Sequence, residues 1–288
     1  MARIGQNPNR FKPAPTKVSE IVLTCVTHLP NFEGYHAKRF EVVKKSLTSM
    51  RENSGGDFTT IVWDNESCVE LRDWIENSYK PDIFIKSKNI GKGSARAALF
   101  GMLNPYTIVN FSDDDIYHYP SWLMPQVKLL KHFPEVSSVT GYPVRTAFQW
   151  GIENTIERLK PTYGRFLPEE WEIDYARSIG IDIDKHLLST SQDNDIIVEH
   201  EGVKAYATSH HCQQVGRAGI LRDSARLIIT HACIPNERLY DTMLDRMGNR
   251  LATLERLTRH MGNVIDDDLR ADIKNAEAPH LLTRVVKT

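Results

Sequence analysis

The stretch YTIVNFSDDDIYHYPSW, residues 106–122, starts as a strand and ends at the entrance to a helix. Ile108, Val109 and Phe111 form a short apolar run, and Asp113, Asp114 and Asp115 follow it directly. Pro120 and Trp122 then open WLMPQVKLLKHF (122–133), with Leu123, Val127, Leu130 and Phe133 at helical spacing. EVSSVTG (135–141) returns to a strand. The same alternation runs upstream. IVLTCVT (21–27) reads as a strand, and RFEVVKKSLTSM (39–50) as a helix with Phe40, Val43, Leu47 and Met50 on one side, stopped by NSGG (53–56). FTTIVW (58–63) is a strand, CVELRDWIENS (68–78) a short helix and DIFIK (82–86) a strand. NIGKGSARAALFGML (89–103) turns helical from about Gly93. Strands and helices joined by short connections predict an α/β fold with a mostly parallel central sheet flanked by helices. Such sheets bind ligands beyond the carboxyl ends of their strands, where strand order reverses.

Beyond residue 141 the periodicity weakens. YPVRTAFQWGIENTIERLKPTYGRFLPEEWE scatters aromatic residues, Pro and Gly without a clear period, as a lid or partner-binding insertion would. QDNDIIVEHEGVKAYATSHH (192–211) reads as a helix followed by a short strand, KAYAT. Leu239, Met243, Met247, Leu251, Leu254, Leu257 and Met261 fit one apolar helical face, breakable at Gly248. The expected organisation is a flexible basic arm at 1–18, a domain at 19–215 with halves at 19–141 and 142–215, a helical extension at 216–265 and a weakly ordered tail at 266–288. The extension would dock on the body or join two subunits of a homo-oligomer.

Composition narrows the function. The 288 residues carry 36 Lys and Arg against 37 Asp and Glu, so no global field advertises nucleic acid or an anionic membrane. The arm is the local exception, with Arg3, Arg10, Lys12 and Lys17 and no acid. No apolar run of about 18 residues and no signal-peptide core occur, which predicts a cytoplasmic chain without a transmembrane segment. Cys25, Cys68, Cys212 and Cys233 lie far apart and read as reduced thiols, with a zinc site using Cys212 and His210 or His211 as the competing reading.

Three adjacent carboxylates at a strand end are costly unless something balances them. A solvated turn needs nothing more, and a helix N-cap uses one acid. A divalent cation uses two: Asp113 and Asp115 can converge on one ion, with Asp114 orienting the loop. Hard oxygen ligands suit Mg²⁺ or Mn²⁺, and few are required when phosphates complete the shell. The short, stiff connection to Pro120 favours the cation. Two other strand ends face the same rim. IVWDNES places Asp64, Asn65 and Glu66 after the second strand, suited to a base ring N–H or to a plain turn. NIGKGSARAA has glycines for close backbone approach and then Arg96, but neither GxGxxG nor a P-loop ending.

In order and spacing, IVWDNES, NIGKGSAR, IVNFSDDD with its following Pro and Trp-Leu, and QDNDIIV with KAYAT and a later His resemble the GT-A glycosyltransferases, in particular the family-2-like group. The resemblance spans about residues 20–211. It implies transfer of a sugar from a nucleoside-diphosphate donor, UDP- or GDP-linked, with Mn²⁺ or Mg²⁺ as cofactor. It carries the metal motif onto Asp113 and Asp115 with Asp114 beside the donor, base contacts onto Thr27 and Asp64, and the diphosphate side onto Gly93, Ala95 and Arg96. Lys92 is an alternative source of positive charge to Arg96. His211, or else His210, would reach the metal or diphosphate. Asp193, after Gln192 in place of the usual Glu, becomes the catalytic base of an inverting reaction. The loop after the first strand is longer than the family's. Trp150, Tyr163, Phe166 and Trp171 suit an acceptor's sugar rings or a core equally. Rival readings are a retaining transferase, a sugar-phosphate nucleotidyltransferase and a non-enzymatic binding module. The acceptor is open: glycan, small molecule, protein or nucleic acid.

Overall fold

A computed structural model describes the protein at residues 19–226 and 233–285, with side chains except at 233–236 and 279–285. The basic arm and the last three residues of the expected tail lie outside the described residues. The first half comprises β1 (Ile21–Thr27), α1 (Arg39–Glu52), β2 (Thr59–Asn65), α2 (Val69–Trp74), β3 (Ile83–Ser87), α3 (Lys92–Gly101) and β4 (Ile108–Ser112). There follow β5 (Ile116–His118), α4 (Leu123–His132), β6 (Val136–Thr140), α5 (Glu153–Arg158), β7 (Pro161–Gly164), α6 (Glu169–Ser178) and α7 (Ile183–Ser189). The chain closes with β8 (Asp195–His200), β9 (Val203–Tyr206), β10 (Gln213–Arg217), α8 (Ala218–Arg226), α9 (Cys233–Met247), β11 (Asn249–Ala252), β12 (Thr258–His260) and α10 (Asp267–Val285).

Ten strands form one sheet in the order β3-β2-β1-β4-β10-β6-β11-β9-β8-β7. The first four pair in parallel, as the alternation predicts. The other half is mixed: β10 runs antiparallel to β4 and β6, β11 parallel to β6, and β9, β8 and β7 alternate. Successive strand residues serve opposite faces. Leu23, Cys25 and Val62 pack with Val43 and Leu47 of α1 and Val127 and Leu130 of α4. Val26, Trp63, Val109 and Phe111 pack instead with Leu99 and Phe100 of α3, Leu221 of α8 and Leu244 of α9. Both faces are therefore dry, which is why these strands are apolar almost throughout.

The chain steps outward from β1 to β2 to β3 and then returns to the other side of β1 for β4. Strand order reverses between β1 and β4, so a crevice opens beyond their carboxyl ends. The three aspartates are the first residues past that end of β4.

Three stretches differ from expectation. Residues 195–206 form a hairpin, not a helix and a strand: Glu201 and Gly202, with φ of 47° and 81°, make the two-residue loop between β8 and β9. The apolar series at 239–261 is helical only to Met247; Leu251, Leu257 and Met261 are buried, but beyond the helix. Gly248 marks the break, because a Cβ there would lie 2.3 Å from the Glu135 carbonyl oxygen. That close approach lets the Asn249 N–H reach the same carbonyl at 2.6 Å and enter the sheet beside β6. Gly248→Ala is expected to cost about 1–3 kcal/mol, read as a lower urea midpoint with an unchanged slope. Third, the expected weak tail contains α10, whose Leu269 and Ile273 pack on Val42, Tyr117 and Met261. Among the described residues no helix is long and apolar enough to cross a membrane.

Candidate active site

The crevice at the strand-order reversal is a cleft of about 500 Å³. His28, Tyr35, Arg39, Asn65, Asn89, Lys92 and the three aspartates line it. Each carboxylate has a cation beside it. Lys92, at the start of α3, donates to Asp113 at 2.8 Å. Arg39, at the start of α1, forks across the other two, donating to Asp114 and, at 3.1 Å, to Asp115. His260 of β12 places Nε2 3.5 Å from Asp115. Backbone contacts fix the loop: the His28 N–H donates to Asp114 at 3.1 Å, and the Asp113 N–H to the Cys212 carbonyl at 2.8 Å.

These partners decide the charge states. Burial pushes the Asp113 and Asp114 carboxyls up, against Lys92 and Arg39 respectively. Burial would raise Asp115 as well, but His260 and Arg39 hold it well below the usual carboxylate range. Burial alone would lower the His260 imidazole; facing Asp115 raises it instead. Asp115 is thus the acid most firmly ionised, and its Oδ1 is buried with no hydrogen-bond partner.

A second layer holds the cations. Glu237 of α9 lies 3.3 Å from Lys92 and accepts from both terminal nitrogens of Arg96 at 3.0 Å. Arg96 is fully buried, with its guanidinium over Tyr240 and Phe111. It therefore faces the core, and Lys92, one residue before Gly93, supplies the cleft's charge on this side. Asp64 is also withdrawn: its carboxylate is fully buried and accepts from the Ser67 N–H and from Arg72 Nε at 2.7 Å. The wall it was expected to form is made by Asn65 and Asn89, whose amides bond at 3.0 Å. Thr27, beside Asp64 in register, is buried with its Oγ1 unpartnered.

His211 stands beside Cys212, the turn residue that anchors Asp113, with Nδ1 2.9 Å from Asp241; Asp241 also pairs with Arg250 at 3.0 Å. The His210 ring stacks on His211, and its Nδ1 lies 2.8 Å from the Cys212 sulfur. Burial pushes the Cys212 thiol well up. Among the described residues no three His, Cys, Asp or Glu side chains converge as a ready-made metal shell. Asp193 is not brought to the acids. It lies on the turn before β8, half-buried, where Gln149 donates to it at 2.5 Å. In the sheet order β8 is five strands from β4, about 24 Å at about 4.8 Å per step. Its neighbour Asp195 is fully buried and structural, held by Arg145 at 2.8 Å and by the N–H groups of Phe166 and Leu167.

Arg39, Glu237 and His260 were not anticipated. Arg39 had a signal, since it opens the helix after an unusually long first loop. Glu237 and His260 had none, because their places depend on α9 and β12 folding back over the first half.

The sequence profile of "Glycosyl transferase family 2" matches residues 35–181, just over half of the chain, including the acid cluster. The chain belongs to that family. Solved structures resemble it at low identity. A crystal structure of S. aureus TarS 1-349 is 11% identical with a TM-score of 0.48, covering 85% of this chain and 60% of that one. A further TarS structure is 12% identical at 0.47, covering 90% and 39%. The mannosyltransferase PcManGT from Pyrobaculum calidifontis, in complex with GDP-Man and Mn²⁺, is 18% identical at 0.34, covering 50% and 41%. The chain thus spans 39–60% of the length of these structures. No curated protein matches. Membership accounts for the GT-A-type α/β fold.

Proposed function

We propose that the protein is a glycosyltransferase that takes its sugar from a nucleoside-diphosphate donor whose diphosphate lies against the Asp113–Asp115 rim. One observation carries the reading: Asp113, Asp114 and Asp115, with Lys92 and Arg39, line a cleft at the strand-order reversal. Asp113 and Asp115 fit a hard divalent cation held by few protein ligands, and the unpartnered Asp115 Oδ1 supplies a buried acceptor for it. Such a Mn²⁺ or Mg²⁺ ion would neutralise charge on the departing diphosphate.

The chain's own residues do the rest. Lys92 and Arg39 add positive charge beside the diphosphate, where low dielectric strengthens it. Glu237 positions Lys92, and His260 orients Asp115. Asn65 and Asn89 form the polar wall available to a base, with Tyr35 as an aromatic face at the mouth. His211, oriented by Asp241 and one residue before the Cys212 carbonyl that holds the Asp113 N–H, is a further group for the diphosphate side.

Attack by an acceptor hydroxyl requires a base that removes its proton. The assignment by resemblance is Asp193, which gives inversion at the anomeric carbon. Its distant place in the sheet makes this a demanding assignment, because the segment carrying Asp193 and Gln149 would have to close toward the acids. Asp193→Asn is expected to retain donor binding and to lower turnover by at least about a hundredfold. Near-normal turnover removes Asp193 from the chemistry. Titrating UDP- and GDP-sugars with and without Mn²⁺, and following free nucleoside diphosphate, tests the donor reading; failure of every donor to bind sinks it.

A further inference from the structure

The β5–β12 ribbon connects the donor cleft to a second opening. At its near end the Asp115 carbonyl accepts from the Met261 N–H at 2.8 Å, and His260 faces the Asp115 carboxylate. At its far end the Tyr119 N–H donates to the Leu257 carbonyl at 3.0 Å. There a groove of about 420 Å³ is lined by Tyr119, Phe166, Trp171, Tyr206, Arg256 and Asp272, among others. A small hollow beside the ribbon is lined by His260, Arg259 and Asp174, among others. Asp174 accepts from Arg256 at 2.7 Å and from Arg259 at 2.9 Å. Side-chain contacts therefore link the acids, through His260 beside Asp115 and Asp174 beside Arg256, to the aromatic groove.

The groove pairs flat apolar faces with planar polar edges. Phe166 is 40% exposed and Trp171 half-buried. The Arg256 guanidinium lies over the rings of Trp171 and Tyr119, at 5.5 and 5.9 Å. Asp272 accepts from the Tyr119 hydroxyl and from Arg259 at 2.7 Å. With Glu255, which also lines the groove, two arginines face three acids, so this network disfavours an anionic occupant. A purely apolar occupant would cover these polar edges without pairing them, which is costly. A sugar ring suits both parts: its C–H face stacks on an aromatic ring, and its hydroxyls meet guanidinium and carboxylate edges. Asp115 and Tyr119 are four residues apart along extended chain, about 13 Å at 3.3 Å per residue. That is longer than one sugar ring.

We propose that this groove binds the non-reacting part of a neutral saccharide chain whose end presents its hydroxyl at the aspartate rim. The acceptor is then an oligosaccharide or polysaccharide. The proposal rests on the donor reading of the cleft.

The test uses the whole chain without donor and a panel of cello-, malto-, manno- and chitotetraose at millimolar concentration, followed by saturation-transfer NMR. At least one is expected to bind, and Trp171→Ala and Phe166→Ala to weaken it about tenfold each. Trp171 packs against the core, so its loss can disturb folding; exposed Phe166 keeps the test sound. Absence of binding by all four sugars, or equal binding by the wild type and Phe166→Ala, overturns the proposal. Parallel titration with UDP- and GDP-sugars and Mn²⁺ separates the two ideas. Donor binding without saccharide binding removes only the groove. Saccharide binding without donor binding removes the donor reading and the acceptor role together.

Discussion

Asp115→Asn is expected to abolish Mn²⁺-dependent donor binding and to lower turnover by about a thousandfold or more, while the ligand-free protein stays folded. Two effects on stability oppose each other. Asp115 is held ionised by His260 and Arg39, so losing its charge weakens two favourable contacts. The same change relieves Asp113 and Asp114, each disfavoured by Asp115's charge. The asparagine oxygen can still accept from Arg39. The net loss should be no more than about 2 kcal/mol, checked by urea unfolding. Donor with Mn²⁺ should raise the melting temperature of the wild type and leave the variant's unchanged. A variant that still binds donor in a Mn²⁺-dependent way would remove Asp115 from the donor site.

Local pattern carried the first half of the fold and the placement of the acids. IVLTCVT, FTTIVW and YTIVNF are short apolar runs separated by helical periods, and parallel strands buried on both faces read in just that way. The acids follow from the same pattern, because they are the first residues beyond one such strand. What failed depends on contacts distant in sequence. VEHEGVKA satisfies a two-residue hairpin loop, yet its neighbours QDND resemble a helix start and masked it. Leu251, Leu257 and Met261 are apolar because they are buried, and their helical spacing with Leu239 and Met243 is coincidental. Asp64 and Arg96 show the limit of carrying roles over by motif. Both stand at the expected ends of β2 and α3, but Arg72 and Glu237 have drawn their charges away from the cleft. Motif spacing fixes a backbone position; the partner that a side chain finds is set by tertiary packing.

That dependence on partners makes Arg39 the most sensitive position of the cluster. Its side chain is 6% exposed and forks between two carboxylates that are themselves nearly buried. Arg39→Met keeps much of the stem's volume but leaves Asp114 with only the His28 N–H among its close partners, and Asp115 with His260. Breaking one side of a buried ion pair typically costs about 3–5 kcal/mol, against a total of about 5–15 kcal/mol for a domain. The variant should also respond more steeply to pH. Without Arg39 the Asp114 carboxyl is pushed further above its unfolded value, so at this group the folded state binds more protons than the unfolded one. That contribution grows as pH falls toward the ordinary carboxylate range and is lost as pH rises through the folded-state value. Urea midpoints across that range would show it. Adding Asp114→Asn should recover part of the lost stability, because the double variant buries one uncompensated charge fewer. Donor binding should not recover, since the guanidinium beside the diphosphate is still absent. An Arg39→Met protein that unfolds within about 1 kcal/mol of the wild type at pH 7 would show that water, not this arginine, balances the aspartates.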